Sequence, residues 1–289
     1  MHTMHREQAD RPATARRLQT QCSLIDRLRA TLPFLAATAA IAWLAACAGQ
    51  PAVPEARVRQ ALAPTGKLRV GVYLGSPTSL VKDAAGEARG VSVDIGMELA
   101  RRLDVPYEQV EFPRVAAVLE AMKVGQVDFT VTNATPARAA DVNFTVPLIE
   151  LELGYLVVPG SRVTSMADVD RPGIKVGVSQ GSTSQVALAR ELKYATVVPA
   201  ATLNVAAQML SNRTLDTFAT NKAILFEMSD GLPGARVLDG RWGLEHLAIA
   251  TPKGHDAGAD FLRQFADQAR ADGLVRRAAE RAGLRGMAE

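Results

Sequence analysis

Residues 174–184, IKVGVSQGSTS, have the pattern of a buried strand, a glycine turn and the first turn of a helix. We predict a strand over 174–178 and a helix over 182–192, which together form the repeating unit of α/β proteins. The first backbone N–H groups of such a helix lack an intrahelical acceptor and attract anions. The Ser182 side chain can instead satisfy one of them by capping the helix, which requires no ligand. The segment therefore predicts an α/β fold and a candidate anion-binding site at Ser182 and Thr183.

The same alternation of strands and helices continues on both sides of this segment. Further strands are predicted at 68–74, 110–112, 127–131, 196–198 and 215–220, and further helices at 92–103, 116–124, 203–210 and 222–228. Two longer extended runs, 151–158 and 246–251, lie between the two sets of elements and after the second set. Such runs carry the chain across to a second lobe and back, which leaves a hinged cleft between the lobes. The end of the chain, 257–271 and 274–282, is predicted to be helical and to pack on the first lobe.

The composition excludes several classes of protein. The chain has 289 residues, of which 48% are hydrophobic and 22% are charged, as in a globular protein. Its formal net charge of +3 comes from the first 46 residues, which contain six arginines against three acidic residues. Removing these from the totals of 33 basic and 30 acidic side chains leaves 27 of each. A neutral remainder does not attract polyanions, so nucleic-acid binding is excluded.

The amino-terminal segment has the pattern of an export signal. Arginines precede residues 32–46, an uncharged and largely apolar run that is short for a membrane span and typical of a signal peptide. The run leads into the letters LAAC at 44–47, which resemble the lipobox of bacterial lipoproteins. That resemblance implies cleavage before Cys47 and acylation of its thiol. We therefore predict a signal peptide over residues 1–46.

The processed chain is predicted to be a periplasmic lipoprotein anchored to a membrane through Cys47. The other cysteine, Cys22, lies within the predicted signal, so the processed chain has no disulfide. Residues 47–64 are rich in alanine, proline and arginine, and we predict that they form a tether between the anchor and the folded lobes.

Six landmarks give the remaining chain a resemblance to a known family. They are GKLRVG at 66–71, the segment 90–94, GQVD at 125–128, TPAR at 135–138, VGVSQGST at 176–183 and the ending 265–274. Their order and spacing resemble the periplasmic solute-binding proteins of ABC importers, in the family that binds polar amino acids, extracellular solute-binding protein family 3. The resemblance implies the type II periplasmic-binding-protein fold, an α/β fold with two Rossmann-like lobes joined by two hinge strands. We expect lobe 1 at 65–154 and 250–289, and lobe 2 at 155–249.

Arg138 is the main candidate for binding an anion. It follows a predicted strand and a turn built on Pro136, near the carboxyl end of the first sheet, where α/β proteins bind ligands. A guanidinium can hold a carboxylate through two parallel hydrogen bonds, and Asn133 and Thr135 add neutral hydrogen-bonding groups. In the proteins that the chain resembles, the matching arginine holds the ligand's α-carboxylate. The alternative is a surface ion pair between Arg138 and Asp141.

Asn221 departs from the pattern of the family. It stands at the end of the predicted strand 215–220, where amino-acid-binding relatives carry an aspartate that pairs with the ligand's α-ammonium. An amide does not supply that charge, and the lost charge-assisted hydrogen bond is worth about 1.5–3 kcal/mol. A standard α-amino acid is therefore disfavoured as the ligand, unless Asp216, Glu227 or Asp230 replaces the missing carboxylate.

The pocket is also predicted to lack the aromatic side chains that relatives place around the ligand. The loop after the first strand has the polar sequence GSPTSL at 75–80, and its Ser76 and Thr78 are candidate ligand-binding residues. Trp242 and Tyr155 lie near the predicted crossings and either line the pocket or pack in the core. A polar and roomy pocket favours a small, oxygen-rich anion.

The sequence contains no pattern for a metal site, a cofactor site or a catalytic nucleophile. His246 and His255 remain after processing, and neither has a spacing typical of such sites. Relatives of the fold include dehydratases, so a general acid at Glu150, Glu152 or Glu245, near the crossings, is an alternative. A ligand-sensing lipoprotein is a further alternative.

The sequence therefore predicts a monomeric binding protein, not an enzyme, that captures a small anionic, amino-acid-like or carboxylate-bearing solute between its lobes. The resemblance implies delivery of that solute to the permease of an ABC transporter in the inner membrane. The predicted ligand-binding residues are Arg138, Asn133, Thr135, Ser182, Thr183, Asn221, Ser76 and Thr78.

Overall fold

The computed structural model describes residues 55–83 and 85–288, which belong to one compact unit. The predicted signal peptide over 1–46 and the predicted lipid attachment at Cys47 lie outside the described residues. Within the described part of the chain, no helix is both long enough and apolar enough to cross a membrane.

Helices and strands alternate along most of the chain. The helices are α1 (Ala56–Leu62), α2 (Val91–Leu103), α3 (Val115–Lys123), α4 (Pro136–Ala139), α5 (Thr183–Glu191), α6 (Leu203–Ser211), α7 (Lys222–Asp230), α8 (Ala259–Ala271) and α9 (Leu274–Arg281). The strands are β1 (Leu68–Tyr73), β2 (Val81–Lys82), β3 (Ala88–Arg89), β4 (Tyr107–Phe112), β5 (Thr130–Asn133), β6 (Val142–Phe144), β7 (Ile149–Val157), β8 (Lys175–Ser179), β9 (Thr196–Ala200), β10 (Thr217–Asn221), β11 (Arg236–Val237) and β12 (Gly243–Pro252). Two short 3₁₀ turns lie at Met166–Asp168 and Asp256–Gly258.

The first lobe is built on the parallel strands β1 and β4, with β5 next to β1. Gly71 in β1 donates its N–H to the carbonyl of Phe129, the residue before β5. Helix α2 packs on these strands, and α9 packs on α2 and α8. One hydrophobic core contains Val70, Leu99, Phe129 and Phe265. The carboxyl-terminal helices therefore pack on the first lobe, as the sequence predicts.

The second lobe is built on β8, with β9 and β10 parallel to it on either side. Helices α5, α6 and α7 cover these strands. Val176 and Leu188 belong to one of its hydrophobic cores, and Leu210 and Phe218 belong to another. Both lobes thus have the βα units that the alternating pattern predicts.

Strands β7 and β12 connect the lobes and lie side by side in antiparallel orientation. The central strand β7 is flanked by β10 on one side and by β12 on the other. Leu153 in β7 is paired with Asn221 at the end of β10 and with Gly243 at the start of β12. Residues opposite one another share a face of the sheet, and so do residues two apart along a strand. Asn221 and Glu245 therefore lie on the same face, across β7 from each other.

The predicted tether of residues 47–64 contains helix α1, which the sequence analysis did not anticipate. Leu62 at its end is buried in the core of the first lobe. It also lies against Gly258, where any side chain would collide with the Leu62 methyl groups. This apolar contact fixes the helix to the first lobe, so the free part of any tether ends before Ala56.

The predicted strand at 127–131 is shifted towards the carboxyl end, because β5 begins at Thr130. Pairing with β1 nevertheless begins before Thr130, because the N–H groups of Asp128 and Phe129 both donate to the carbonyl of Arg69. The Asp128 side chain is buried and accepts hydrogen bonds from the backbone N–H and the guanidinium of Arg69. The apolar residues of this run are buried as predicted.

Candidate functional site

A cavity lies between the two lobes. Its lining residues are Tyr73, Thr78, Pro113, Arg114, Val115, Val131, Thr132, Asn133, Arg138, Ser179, Ser182, Thr183, Thr202, Leu203, Thr220, Asn221, Ile224, Glu245 and Leu247. The side chains of Asn133 and Thr183 bridge the lobes, because the Asn133 Nδ2 group donates to Thr183 Oγ1 at 3.3 Å. The two lobes are therefore in contact around the cavity, as in a closed cleft.

Arg138 lines the cavity as a cation without a carboxylate partner among the described residues. Its Nη1 donates to Thr132 Oγ1 at 2.8 Å and to the carbonyl oxygen of Asn133 at 3.2 Å, both of which are neutral acceptors. Asp141, the alternative partner predicted from the sequence, instead pairs with Lys123 at 2.6 Å. Burial lowers the pKa of the Arg138 guanidinium, and nearby Glu245 opposes that shift. A half-buried arginine held only by neutral groups is suited to an anionic ligand.

Glu245 is a buried carboxylate without a cationic partner among the described residues, and it lines the same cavity. Only 7% of its surface is exposed. Its Oε1 accepts from Thr183 Oγ1 at 3.1 Å, and its Oε2 accepts from Asn221 Nδ2 at 2.9 Å. Both donors are neutral, so the negative charge of this carboxylate is oriented by the protein but not neutralised.

Asn221 holds Glu245 in place through the geometry of the sheet. The two residues lie on the same face across β7, which brings their side chains together. Asn221 Oδ1 also accepts the backbone N–H of Ile224, so this side chain caps helix α7. With its oxygen committed to the helix, the Asn221 amide presents its NH₂ group to the carboxylate.

The amino end of helix α5 faces the cavity through Ser182 and Thr183. The Ser182 hydroxyl accepts from the backbone N–H of Gln185 at 3.1 Å, which confirms the predicted cap. The Gly181 N–H donates to the side chain of Gln185, and the Ser182 N–H donates to Ser179, so neither of these two groups is available to a ligand. No acceptor among the described residues pairs with the N–H groups of Thr183 and Ser184. The helix end therefore offers fewer free N–H groups to an anion than the sequence predicts.

Gly181 allows the amino ends of α5 and α3 to approach each other. Its φ of +73° lies in the left-handed region, and a Cβ atom there would lie 2.6 Å from the Cβ of Ala116 in α3. Gly181 and Ala116 line the neighbouring groove, whereas Val115, Ser182 and Thr183 line the cavity itself. The partial positive charge of the two helix amino ends favours anions there.

The structure places six of the eight predicted ligand-binding residues in the cavity lining. They are Thr78, Asn133, Arg138, Ser182, Thr183 and Asn221. Thr135 instead caps the short helix α4, where its hydroxyl accepts the Arg138 N–H, and it lines a neighbouring groove. Ser76 is fully buried and its hydroxyl is 2.8 Å from that of Thr78, so it orients Thr78 from outside the lining.

The aromatic residue of the cavity is Tyr73, which the sequence analysis did not select. It ends β1, and burial raises the pKa of its hydroxyl. Trp242 lines the neighbouring groove instead, and Tyr155 is buried beneath it, with 6.2 Å between the ring centroids. The loop at 75–80, where relatives have an aromatic residue, contributes Thr78 to the lining, and the aromatic group comes from the strand before that loop.

The acids proposed to replace the missing aspartate lie elsewhere. Asp216 pairs with Arg162 and Asp230 pairs with Arg285, both outside the cavity lining. Glu227 is also absent from the lining, and burial raises the pKa of its carboxyl. The carboxylate that the cavity contains is Glu245.

Two of the three candidate general acids are engaged outside the cavity. Glu152 binds Lys222 at 2.6 Å, and this contact holds the pKa of the Glu152 carboxyl below its ordinary range. Glu150 is exposed and lies 3.1 Å from Nδ1 of His246. Glu245 is the member of the three that lines the cavity. The described residues contain no group of acidic, histidine or cysteine side chains that could hold a metal ion.

Glu245 and Arg114 are the charged lining residues that the sequence analysis left out of its ligand-binding set. The signal for Glu245 is its strand position, because Glu245, Leu247 and Ile249 alternate along β12 and all three are buried. A carboxylate in phase with two core residues faces inwards. The sequence indicates Arg114 more weakly, because its only distinguishing feature is that it lies between a strand and a helix of the first lobe.

The contact between Asn221 and Glu245 predicts how Asn221→Asp will behave. The variant places two carboxylates side by side. The pKa of the pair rises, because ionising both groups brings two negative charges together. A carboxylate whose pKa is raised by folding makes the folded protein less stable as pH rises. The variant should therefore be about 1–3 kcal/mol less stable than the wild type at pH 7, and this difference should be smaller near pH 4. Urea unfolding at both pH values measures this difference in stability.

Asn212→Asp is the control, because the Asn212 side-chain oxygen accepts only from Thr214 at the surface. Equal stability of Asn221→Asp and the wild type at pH 7 would contradict the assigned contact.

Comparisons with known proteins identify the family. The profile described as "Bacterial extracellular solute-binding proteins, family 3" matches residues 68–283. The ABC transporter glutamine-binding protein GlnH of Bacillus subtilis (strain 168) is 25% identical over 198 residues, which is 67% of this chain and 72% of that protein.

Two solved structures share the fold. The solute receptor for L-cysteine of Neisseria gonorrhoeae has a TM-score of 0.70 at 23% identity, over 80% of this chain and 99% of that one. The ancestral amino acid-binding protein AncCDT-1, a precursor of cyclohexadienyl dehydratase, has a TM-score of 0.67 at 24% identity, over 77% of this chain and 97% of that one.

The fold is therefore the two-lobed α/β fold of periplasmic amino-acid-binding proteins, as the resemblance implies. The chain belongs to the bacterial extracellular solute-binding proteins, family 3.

Proposed function

We propose that this protein captures a small α-amino acid in the cavity between its lobes and delivers it to the permease of an ABC transporter. One observation supports this proposal above the others. Arg138 and Glu245 line one cavity as opposite charges, and each is held by neutral groups only. Unpaired buried charges are costly, and a ligand that carries both opposite charges removes the cost at both residues.

In this proposal, Arg138 binds the α-carboxylate of the ligand. The free backbone N–H groups at the start of α5, beside Thr183, bind the same carboxylate from the second lobe. Binding to both lobes favours the closed cleft, because the contacts to the second lobe form only when the lobes meet. The Asn133 and Thr183 side chains, which already bridge the lobes, orient that carboxylate.

Glu245 binds the α-ammonium and takes the place of the aspartate that relatives have at the position of Asn221. The amide of Asn221 orients Glu245 through the 2.9 Å hydrogen bond and does not itself neutralise the ammonium. The negative charge is thus kept in the cavity but is supplied from β12 instead of from the end of β10. This removes the objection to a standard α-amino acid. The name of the Bacillus relative, a glutamine-binding protein, agrees with such a ligand.

We assign Glu245 to binding and the protein to transport instead of catalysis. Both carboxylate oxygens of Glu245 accept hydrogen bonds from neutral donors, Thr183 and Asn221, and this arrangement orients the group for binding a ligand. The curated relative is named as a transporter component, which also supports this assignment.

The binding experiment uses two charge-neutralising variants, Arg138→Gln and Glu245→Gln. Isothermal titration with a panel of L-amino acids should give an affinity for the preferred amino acid that falls about 10- to 150-fold in each variant, since each removes a charge-assisted hydrogen bond worth about 1.5–3 kcal/mol. Arg276→Gln and Glu280→Gln are the matched controls, because these residues form an exposed pair on α9. Both controls should bind as the wild type does.

Two results would remove the proposed roles. If Arg138→Gln stays folded and binds with unchanged affinity, the carboxylate binds elsewhere. If Glu245→Gln stays folded and binds with unchanged affinity, the ammonium binds another residue or the ligand carries no ammonium. Thermal unfolding without ligand shows whether each variant is folded.

We further propose that the protein acts as a monomer in the periplasm and is anchored to a membrane by a lipid on Cys47. The support is the apolar run at 32–46 that leads to this cysteine. Cys47→Ser should move the protein from the membrane fraction to the soluble periplasmic fraction and abolish incorporation of labelled fatty acid. Cys22→Ser is the control and should stay in the membrane fraction, because Cys22 belongs to the predicted signal. Labelling of Cys47→Ser would contradict the anchor.

A further inference from the structure

Arg114 is a second cation in the cavity that the proposed function leaves without a role. It lies between β4 and α3 and lines the cavity together with its neighbours Pro113 and Val115. Its Nε atom is buried and has no hydrogen-bond partner. The structure records no ion pair for this side chain within the described residues. Arg114 therefore brings to the cavity lining a guanidinium that no carboxylate among the described residues neutralises.

The backbone around Arg114 strengthens the positive potential at this end of the cavity. Arg114 is the N-cap residue of α3, and the first turn of that helix contains no acidic side chain. The amino end of α5 also reaches this cavity, because Ser182 and Thr183 line it together with Arg114, while the contact of Gly181 with Ala116 lies in the neighbouring groove. Two helix amino ends and a guanidinium converge here, and each of them favours negative charge.

The charges that line the cavity do not cancel. Among the described lining residues, Arg114 and Arg138 are cationic and Glu245 is anionic. A zwitterionic α-amino group and α-carboxylate use Glu245 and Arg138, which leaves Arg114 unpaired. A ligand with one ammonium and two anionic groups matches all three side chains. A cationic side chain would face an unpaired guanidinium, with no second carboxylate in the lining to receive it.

We propose that Arg114 is the specificity-determining residue of this cavity and binds an anionic group on the side chain of the ligand. The preferred solutes are then acidic α-amino acids with a carboxylate or sulfonate side chain. This inference rests on the proposed function, because it assumes that Arg138 and Glu245 bind the two α-substituents.

The test compares acidic amino acids with their amides, which have nearly the same shape and lack the side-chain charge. Isothermal titration of the wild-type protein with L-glutamate, L-glutamine, L-aspartate and L-asparagine should show at least tenfold tighter binding of the acid in one of the two pairs. Arg114→Gln should weaken binding of that acid by about tenfold or more and change binding of its amide by less than about threefold. Arg114→Lys should keep part of the preference, since the charge remains but the planar fork is lost. Arg276→Gln is again the control and should keep the full preference.

The outcomes separate this inference from the proposed function. If the amides bind as tightly as the acids, or if Arg114→Gln weakens both by the same factor, the second anion subsite is wrong while the amino-acid site stands. If no α-amino acid binds to the wild type, both proposals are wrong. If the acid is preferred and Arg138→Gln abolishes its binding while Arg114→Gln removes only the preference, both are supported.

Discussion

The structure depends on a separation of charge across the cavity between the lobes. Arg138 and Glu245 are opposite charges that line one cavity, and each is satisfied by neutral hydrogen bonds instead of by the other. In most folded proteins, buried charges are paired because an unpaired charge far from water is unstable. Here the two charges stay apart, and the space between them suits a molecule that carries both. The proposed preference for a zwitterion rests on this separation of charge.

The fold keeps these charges apart by placing them on different elements. Arg138 lies on the short helix α4 that follows β5, and its guanidinium is tied to Thr132 and to the Asn133 carbonyl in the same segment. Glu245 lies on β12, and it is held by Thr183 from α5 and by Asn221 from the end of β10. Because Thr183 and Asn221 belong to the second lobe while Asn133 belongs to the first, closure of the cleft is what completes the arrangement. The hydrogen bond from Asn133 to Thr183 joins the two lobes beside Glu245, where the proposed ligand would bind.

Much of this arrangement can be predicted from the sequence, because the order of strands and helices follows from local periodicity. The run at 174–184 specifies its strand, its glycine turn and the Ser182 cap, and the residues that follow each strand end, such as Arg138 and Asn221, point to the site. The role of Glu245 could not be predicted in this way. It depends on the register of β7 with its two neighbours, in which Leu153 opposes both Asn221 and Gly243. Register between distant strands is a tertiary property, which is why the sequence suggests acids near Asn221 in the chain instead of an acid near it in space.

The central claim is that the cavity recognises an ammonium and a carboxylate together. The most direct measurement is the affinity of the wild-type protein for its preferred amino acid and for two analogues, the 2-oxo acid that lacks the α-ammonium and the amine that lacks the α-carboxylate. Isothermal titration should show both analogues binding at least tenfold more weakly than the amino acid, since each leaves one buried charge without a partner. If the 2-oxo acid binds as tightly as the amino acid, Glu245 does not bind an ammonium, and the cavity is a site for simple carboxylates.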